Sequence, residues 1–150
     1  MPSIQIESPR SDDVLSLLRQ GDAFALALYP AENYYGLDVD ALEADGVSLF
    51  VAREGDVAVG TAALVDRRDG SGEVKRMFVT DDARGLGIGR ALLQALEAHA
   101  LAGGISTMQL ETGLPQVAAI ALYEKLGYRQ IPRFGPYTDD PTSYCMEKHL

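Results

Sequence analysis

Six consecutive residues, Arg84-Gly85-Leu86-Gly87-Ile88-Gly89, carry the plainest chemical signal in the chain. Three glycines at every second position leave main chain without side chains, and glycine admits positive φ and close approach of a bulky group. The first N–H groups of a helix lack intrahelical acceptors, and the aligned peptide dipoles make that end electropositive. A glycine run that opens a helix is therefore a cradle for an anion, phosphate above all.

The flanking residues supply the elements such a cradle needs. Glu73-Val74-Lys75-Arg76-Met77-Phe78-Val79 reads as a strand, Thr80-Asp81-Asp82-Ala83 as a polar turn, and Arg90 onward as an Ala- and Leu-rich helix that Gly103-Gly104 stops. Upstream, Ile4 and Ile6 alternate with polar residues in a short strand ended by Pro9. A helix follows from the N-cap candidate Ser11, with the apolar stripe Val14, Leu17, Leu18, Phe24, Ala25 and Leu28; Gly21 breaks or bends it and Pro30 closes it. A loop holding Tyr34 and Tyr35 leads to a short helix over Asp38 to Ala44. The two tyrosines either cap the core or grip a substrate.

Val47 to Arg53 and Val57 to Val65 form a hairpin around Glu54-Gly55-Asp56, and a second turn at Arg67 to Gly72 delivers the chain into the Glu73 strand. Beyond the long helix, Met108 and Leu110 alternate with polar neighbours, and strand–helix–strand order implies a right-handed parallel crossover. Gln116 to Leu126 is an amphipathic helix ended by Gly127. A strand at Tyr128 to Ile131, a Pro- and Gly-containing loop with Phe134 and Tyr137, and a strand at Ser143 to Lys148 complete the chain. The predicted fold class is α/β: a mixed, mostly antiparallel sheet with one parallel pair, flanked by helices.

At 150 residues the chain reads as a single domain spanning 1–150, with the apolar and charged fractions of an ordinary globular protein. A net charge of −9 argues against nucleic acid and anionic membranes as partners, and serves either solubility or attraction of an amine. Cys145 is the one cysteine, which excludes an intrachain disulfide and a cysteine metal cluster and fits a reducing cytoplasm. Met1 to Arg10 has no signal-peptide core, and no run of ~18 apolar residues is present to span a membrane. A cytoplasmic protein without a metal is expected.

Three glycine-loop chemistries compete. A nucleoside-triphosphatase loop requires lysine and then serine or threonine after its last glycine, whereas Arg90-Ala91 follow Gly89. A dinucleotide site has G-x-G-x-x-G in the first βαβ unit, whereas here the glycines alternate after a run of antiparallel strands. The third fits: Arg84-Gly85-Leu86-Gly87-Ile88-Gly89 after Phe78-Val79 resembles the coenzyme A signature of the GNAT family of N-acetyltransferases, an arginine or glutamine, two residues, glycine, one residue, then glycine or alanine. Leu122-Tyr123-Glu124-Lys125-Leu126-Gly127-Tyr128 resembles a further motif of that family, on the helix near its end. The likeness covers Glu73 to Tyr128.

The resemblance implies a fold in which the sheet splays at the parallel pair, acetyl-coenzyme A as donor, and an amine as acceptor. It implies that the backbone of Gly85, Leu86, Gly87, Ile88 and Gly89 takes the pyrophosphate, with Arg84 and Arg90 within reach of it. The backbone of Met77, Phe78 and Val79 would pair with the pantetheine arm, and Gln116 stands in the polar run before the Tyr123 helix. Tyr123 is then the expected acid for the departing sulfur and Glu73 the expected base, with Glu111 as a second candidate. The acceptor pocket is expected from Tyr34, Tyr35, Phe134 and Tyr137, which could also be plain loop anchors. Homodimers are frequent in the resembled family. Two other classes stay open: a non-catalytic acyl-coenzyme A-binding module on the same fold, and an interaction protein whose glycine loop is only a tight helix entry.

Overall fold

Among the described residues seven segments pair as strands, and the apolar centres of two of them, Leu49 to Ala52 and Val59 to Leu64, are buried throughout. The computed structural model describes residues 2–150; Met1, at the head of the stretch read for a leader, lies outside the described residues. The strands are β1 (Ser3–Ile6), β2 (Val47–Glu54), β3 (Val57–Asp66), β4 (Ser71–Val79), β5 (Thr107–Gly113), β6 (Arg129–Ile131) and β7 (Ser143–His149). The helices are α1 (Asp12–Leu28), α2 (Val39–Leu42), α3 (Ile88–Ala102) and α4 (Val117–Lys125). One sheet runs in the order β1-β2-β3-β4-β5-β7-β6, with β4 and β5 parallel and every other neighbour antiparallel. The predicted mixed α/β class is the observed one. That β7 inserts between β5 and β6 had no signature in the chain.

The two faces of the sheet bury different helices. On one, Ile88, Leu92, Leu93, Leu96 and Ala100 of α3 recur on a single helical face and pack on Phe50, Ala62, Leu64, Val74, Met108 and Leu110. Full burial of each such leucine contributes about 1.5–3 kcal/mol. On the other face, Val14 and Leu18 of α1 and Leu42 of α2 cover Leu49, Val51 and Ala63. Among the described residues no helix is long and apolar enough to cross a membrane.

Several boundaries move. Helix α1 runs unbroken through Gly21, where an added Cβ would stand 3.5 Å from Phe78. The glycine costs about 1 kcal/mol of helix propensity, offset by the packing of Val14, Leu17 and Leu18. Ser11 sits at the N-cap without a side-chain cap bond; its hydroxyl donates to Asp13 instead, and Asp13 accepts from the Val14 N–H. Helix α2 is shorter than Asp38 to Ala44, opening on Asp38, whose carboxylate accepts from the Ala41 N–H at 2.8 Å. Helix α3 begins inside the glycine run, at Ile88, and β4 begins at Ser71 rather than Glu73.

Candidate active site

The glycine loop has the shape its sequence requires. Gly85 and Gly87 both adopt φ +80°, which side chains disfavour, and a Cβ at either would meet nothing within 4 Å. Gly87 is the N-cap of α3, and among the described residues no side chain caps the helix there. A diphosphate fits this cradle on its donor chemistry: open main chain at the positive end of a fifteen-residue helix. The Ile88 side chain is buried in the core, so only its backbone faces the loop, while Leu86 and Arg90 are exposed.

Arg84 is committed elsewhere. Its Nε donates to the Val79 carbonyl at 3.2 Å, its guanidinium pairs with Asp81 at 3.0 Å, and it lies 5.0 Å over the Phe24 ring. It fastens the loop to the end of β4 and to α1. Arg90 makes no ion pair among the described residues.

The sheet opens beside this loop. β4 and β5 pair from Ser71 opposite Thr107 to Val74 opposite Leu110, and the pairing stops there although both strands continue. Beyond Val74 that edge of β4 has no β5 partner. On its other edge, Lys75 opposes Ala63 and Phe78 opposes Thr61, so Arg76 and Met77 face a single residue, Ala62. This is a β-bulge. Arg76 takes φ +55°, a conformation that costs a non-glycine residue roughly 1–2 kcal/mol, and the Thr61 hydroxyl donates to the Arg76 carbonyl at 2.7 Å. The bulge turns both Lys75 and Arg76 toward the α1 side of the sheet, where alternation would send only one of them.

A cavity of about 150 Å³ occupies the opening. Residues 75–78 of β4, residues 111–113 of β5, the inner side of α1, the 33–36 loop and Tyr123 wall it. The Tyr123 ring is 5% exposed and stands 5.9 Å from the Tyr128 ring. Its hydroxyl makes no hydrogen bond among the described residues, and burial first, then the charge of Glu111, pushes its pKa above the ordinary phenol range. Gln116 lines the cavity and donates to the Tyr29 hydroxyl at 3.0 Å. Tyr29 in turn fills the space a Cβ on Gly113 would need, which explains a glycine at the end of β5.

The two candidate bases are placed differently. Glu73 accepts from Arg67 at 2.9 Å and from the Tyr137 hydroxyl at 2.6 Å, and it does not line the cavity. Glu111 does. It accepts from the Ser143 hydroxyl at 2.7 Å, and its pKa is raised, chiefly by burial; the Ser143 bond and the Lys75 charge oppose that rise. Lys75, its side chain 13% exposed, donates from Nζ to the Tyr137 hydroxyl at 2.6 Å. Burial pulls its pKa down while Glu73 and Glu111 pull it back up.

Of the four aromatic residues expected around an acceptor, Tyr34 and Tyr35 line the cavity and Phe134 and Tyr137 do not. Tyr137 is 1% exposed, edge-on to Tyr35 at 4.9 Å and to Phe134 at 5.3 Å; Phe134 lies under Arg67 at 5.0 Å. They buttress the wall from behind because Tyr137 is drawn inward by Lys75 and Glu73. The Tyr34 hydroxyl bonds Asp22 and Arg76, its pKa pushed up to about 12 by burial and by the Asp22 bond. Tyr35 donates to Asp140 at 2.9 Å. Met77 and Phe78 line the cavity, whereas Val79 packs on the α3 core. Lys75, Arg76 and Tyr29 were missed from the sequence. A bulge at a non-glycine residue has no residue signature, and Tyr29 reads as the plain end of a helix.

Three comparisons bear on this site. The family described as "Acetyltransferase (GNAT) family" matches residues 15–128. The IAA acetyltransferase of Azospirillum brasilense is 45% identical over 153 residues, covering 100% of both chains. Among solved structures, a Klebsiella pneumoniae protein assigned to the acyl-CoA N-acyltransferases superposes with a TM-score of 0.84 at 36% identity, over 100% of this chain and 98% of that one. A Thermoplasma acidophilum N-acetyltransferase solved in complex with coenzyme A shares the fold, with a TM-score of 0.77 at 15% identity over 100% and 99% of the two chains.

Proposed function

The chain belongs to the acetyltransferase (GNAT) family and is an acetyl-coenzyme A-dependent N-acetyltransferase, and we propose that the 85–89 loop, Tyr123 and Glu111 divide the work of acetyl transfer. The donor supplies an acetyl group already activated as a thioester. The main-chain N–H groups of Gly85, Leu86, Gly87, Ile88 and Gly89, with the α3 dipole behind them, hold its pyrophosphate; the open loop supports this. Arg90 adds a cation at the rim, while Arg84 serves as a clamp. The unpaired edge of β4 at Met77, Phe78 and Val79 accommodates the pantetheine arm. A backbone N–H on that edge stabilises negative charge developing on the carbonyl oxygen. Gln116, through Tyr29, fixes the wall opposite.

An amine acceptor is mostly protonated at neutral pH and must lose a proton before it attacks. Glu111 takes that proton in this reading. A carboxyl whose pKa has been raised by burial is a stronger base than one in water, and it lines the cavity. Glu73, the base expected from the resemblance, has both oxygens engaged by Arg67 and Tyr137 and acts as a positioning residue for Lys75. Tyr123 holds the proton for the departing sulfur: its raised pKa keeps the hydroxyl protonated, and among the described residues no group hydrogen-bonds it. Tyr34 and Tyr35 form the acceptor wall, with Phe134 and Tyr137 supporting it. We take residues 1–150 as one such domain, acting in the cytoplasm as monomer or homodimer.

One observation carries this assignment of roles: Tyr123 and Glu111 line a single cavity at the place where β4 and β5 part. The test is a screen of amines, with IAA included because it stands in the Azospirillum relative's name, following free thiol released from acetyl-coenzyme A. Saturable release with at least one acceptor is expected. Coenzyme A binding without release for any acceptor would leave a binding module in place of an enzyme.

A further inference from the structure

We propose that Lys75 reads an anionic group on the acceptor, so that the acceptor class is an amine bearing a carboxylate rather than a polyamine or a simple alkylamine. This rests on the acetyltransferase reading of the cavity and adds to it the chemistry of the substrate. The charges decide the matter. The formally charged side chains lining the cavity are Lys75, Arg76 and Glu111. A polyamine would need several carboxylates to receive its cations, and only Glu111 is there, already assigned to take a proton.

The two cations are not equivalent. Arg76 is spent: its guanidinium bonds Asp22 and the Tyr34 hydroxyl and donates to the Leu18 carbonyl at 3.0 Å. Lys75 carries three N–H donors and gives one, to Tyr137. Its nearest carboxylate, Glu73, is 3.8 Å away and is itself answered by Arg67. A largely enclosed ammonium with donors in hand is costly to bury unless a ligand answers it. An anion seated on Lys75 would form a charge-assisted contact in a low-dielectric site. Phe78, Tyr29, Tyr34 and Tyr35 line the same cavity and offer ring surface for the body of a small molecule. The −9 net charge does not oppose this, because surface charge beyond a Debye length is screened whereas Lys75 acts at contact.

The test is calorimetric titration of the protein saturated with coenzyme A, using matched pairs: phenylalanine against phenethylamine, and β-alanine against ethylamine. The carboxylate member of at least one pair is expected to bind roughly tenfold tighter or more than its partner. Lys75→Met should bring that ratio toward one, and Lys75→Arg should retain part of it, with coenzyme A affinity unchanged in both variants as the check on folding. Equal or weaker binding of the carboxylate members in the wild type, no binding of any member, or an unchanged ratio in a folded Lys75→Met protein would overturn the proposal. These heats are independent of turnover. Tight carboxylate-dependent binding without thiol release from acetyl-coenzyme A would sink the transferase reading alone, and turnover of amines irrespective of a carboxylate would sink this inference alone.

Discussion

Lys75 and Glu111 are the first residues on their strands beyond the last paired position of β4 and β5, Val74 opposite Leu110. A partly buried ammonium and a partly buried carboxyl thus flank the point where the sheet opens, each moved by burial toward its neutral form. The pair sits in the cavity beside Tyr123, whereas Glu73, two residues earlier on β4, is turned toward Arg67 and Tyr137.

The base assignment separates two variants. Glu111→Gln should lower kcat by roughly a hundredfold or more, with coenzyme A affinity unchanged. Glu73→Gln should act mainly on acceptor KM, by loosening Lys75. Steady-state kinetics of the two proteins side by side checks this. Equal losses in kcat would return the base role to Glu73.

The pH profile carries the same assignment. Glu111 must be ionised to accept a proton, and its folded pKa is raised above its value in water. Activity should therefore fall as pH drops through a value above the ordinary carboxylate figure of ~4.3, and Glu111→Gln should abolish that acid limb. The stability sign is opposite. A raised folded pKa favours the fold below the unfolded pKa, and that benefit is lost as pH rises through the folded pKa. At neutral pH Glu111→Gln should accordingly unfold at a Tm no lower than wild type, with its carboxamide oxygen still able to accept from Ser143.

Tyr123→Phe removes only a hydroxyl that makes no hydrogen bond among the described residues, so the ring packing against Tyr128 survives. Turnover should drop by about ten- to a hundredfold with little change in coenzyme A affinity or Tm. A wild-type rate would end the acid role.

Gly87→Glu places a side chain and a negative charge at a residue with φ +80° in the mouth of α3. The backbone penalty is of the order of 1 kcal/mol, and the charge opposes any phosphate. Coenzyme A binding should disappear by calorimetry while circular dichroism reports a folded protein. Gly87→Ala, with no charge, should keep a weakened affinity. Unchanged affinity in Gly87→Glu would reject the cradle.

Asp140 ties the 33–35 loop to the start of β7, accepting from Asn33 and Tyr35 at 2.9 Å and from the Thr142 N–H and hydroxyl. These bonds hold its pKa well below the ordinary carboxylate range, those from Thr142 foremost. A depressed folded pKa gives stability that is present above the unfolded value of ~3.9 and lost as pH falls through the folded one. Asp140→Ala should be less stable than wild type in urea at neutral pH, and the gap should narrow progressively once the pH is below that unfolded value.

The strand, glycine loop and helix between Glu73 and Gly103 were legible from residue order, because period-two and period-3.6 patterns and positive-φ glycines are local properties. The same locality exposed the antiparallel run before them and the parallel crossover after them, while Tyr123 was singled out by the resemblance of Leu122 to Tyr128 to a family motif. What only the tertiary structure decided is which side chains share the cavity. The pairing of β4 with β5 ends at Val74, and a bulge with no glycine in it turns Lys75 and Arg76 to one side. Tyr137, 62 residues from Lys75 in the chain, draws Glu73 and Lys75 together behind the wall. The proposal of Glu111 over Glu73 as base rests on burial and hydrogen-bond partners, and both depend on contacts between segments far apart in sequence, which no pattern of neighbouring residues encodes.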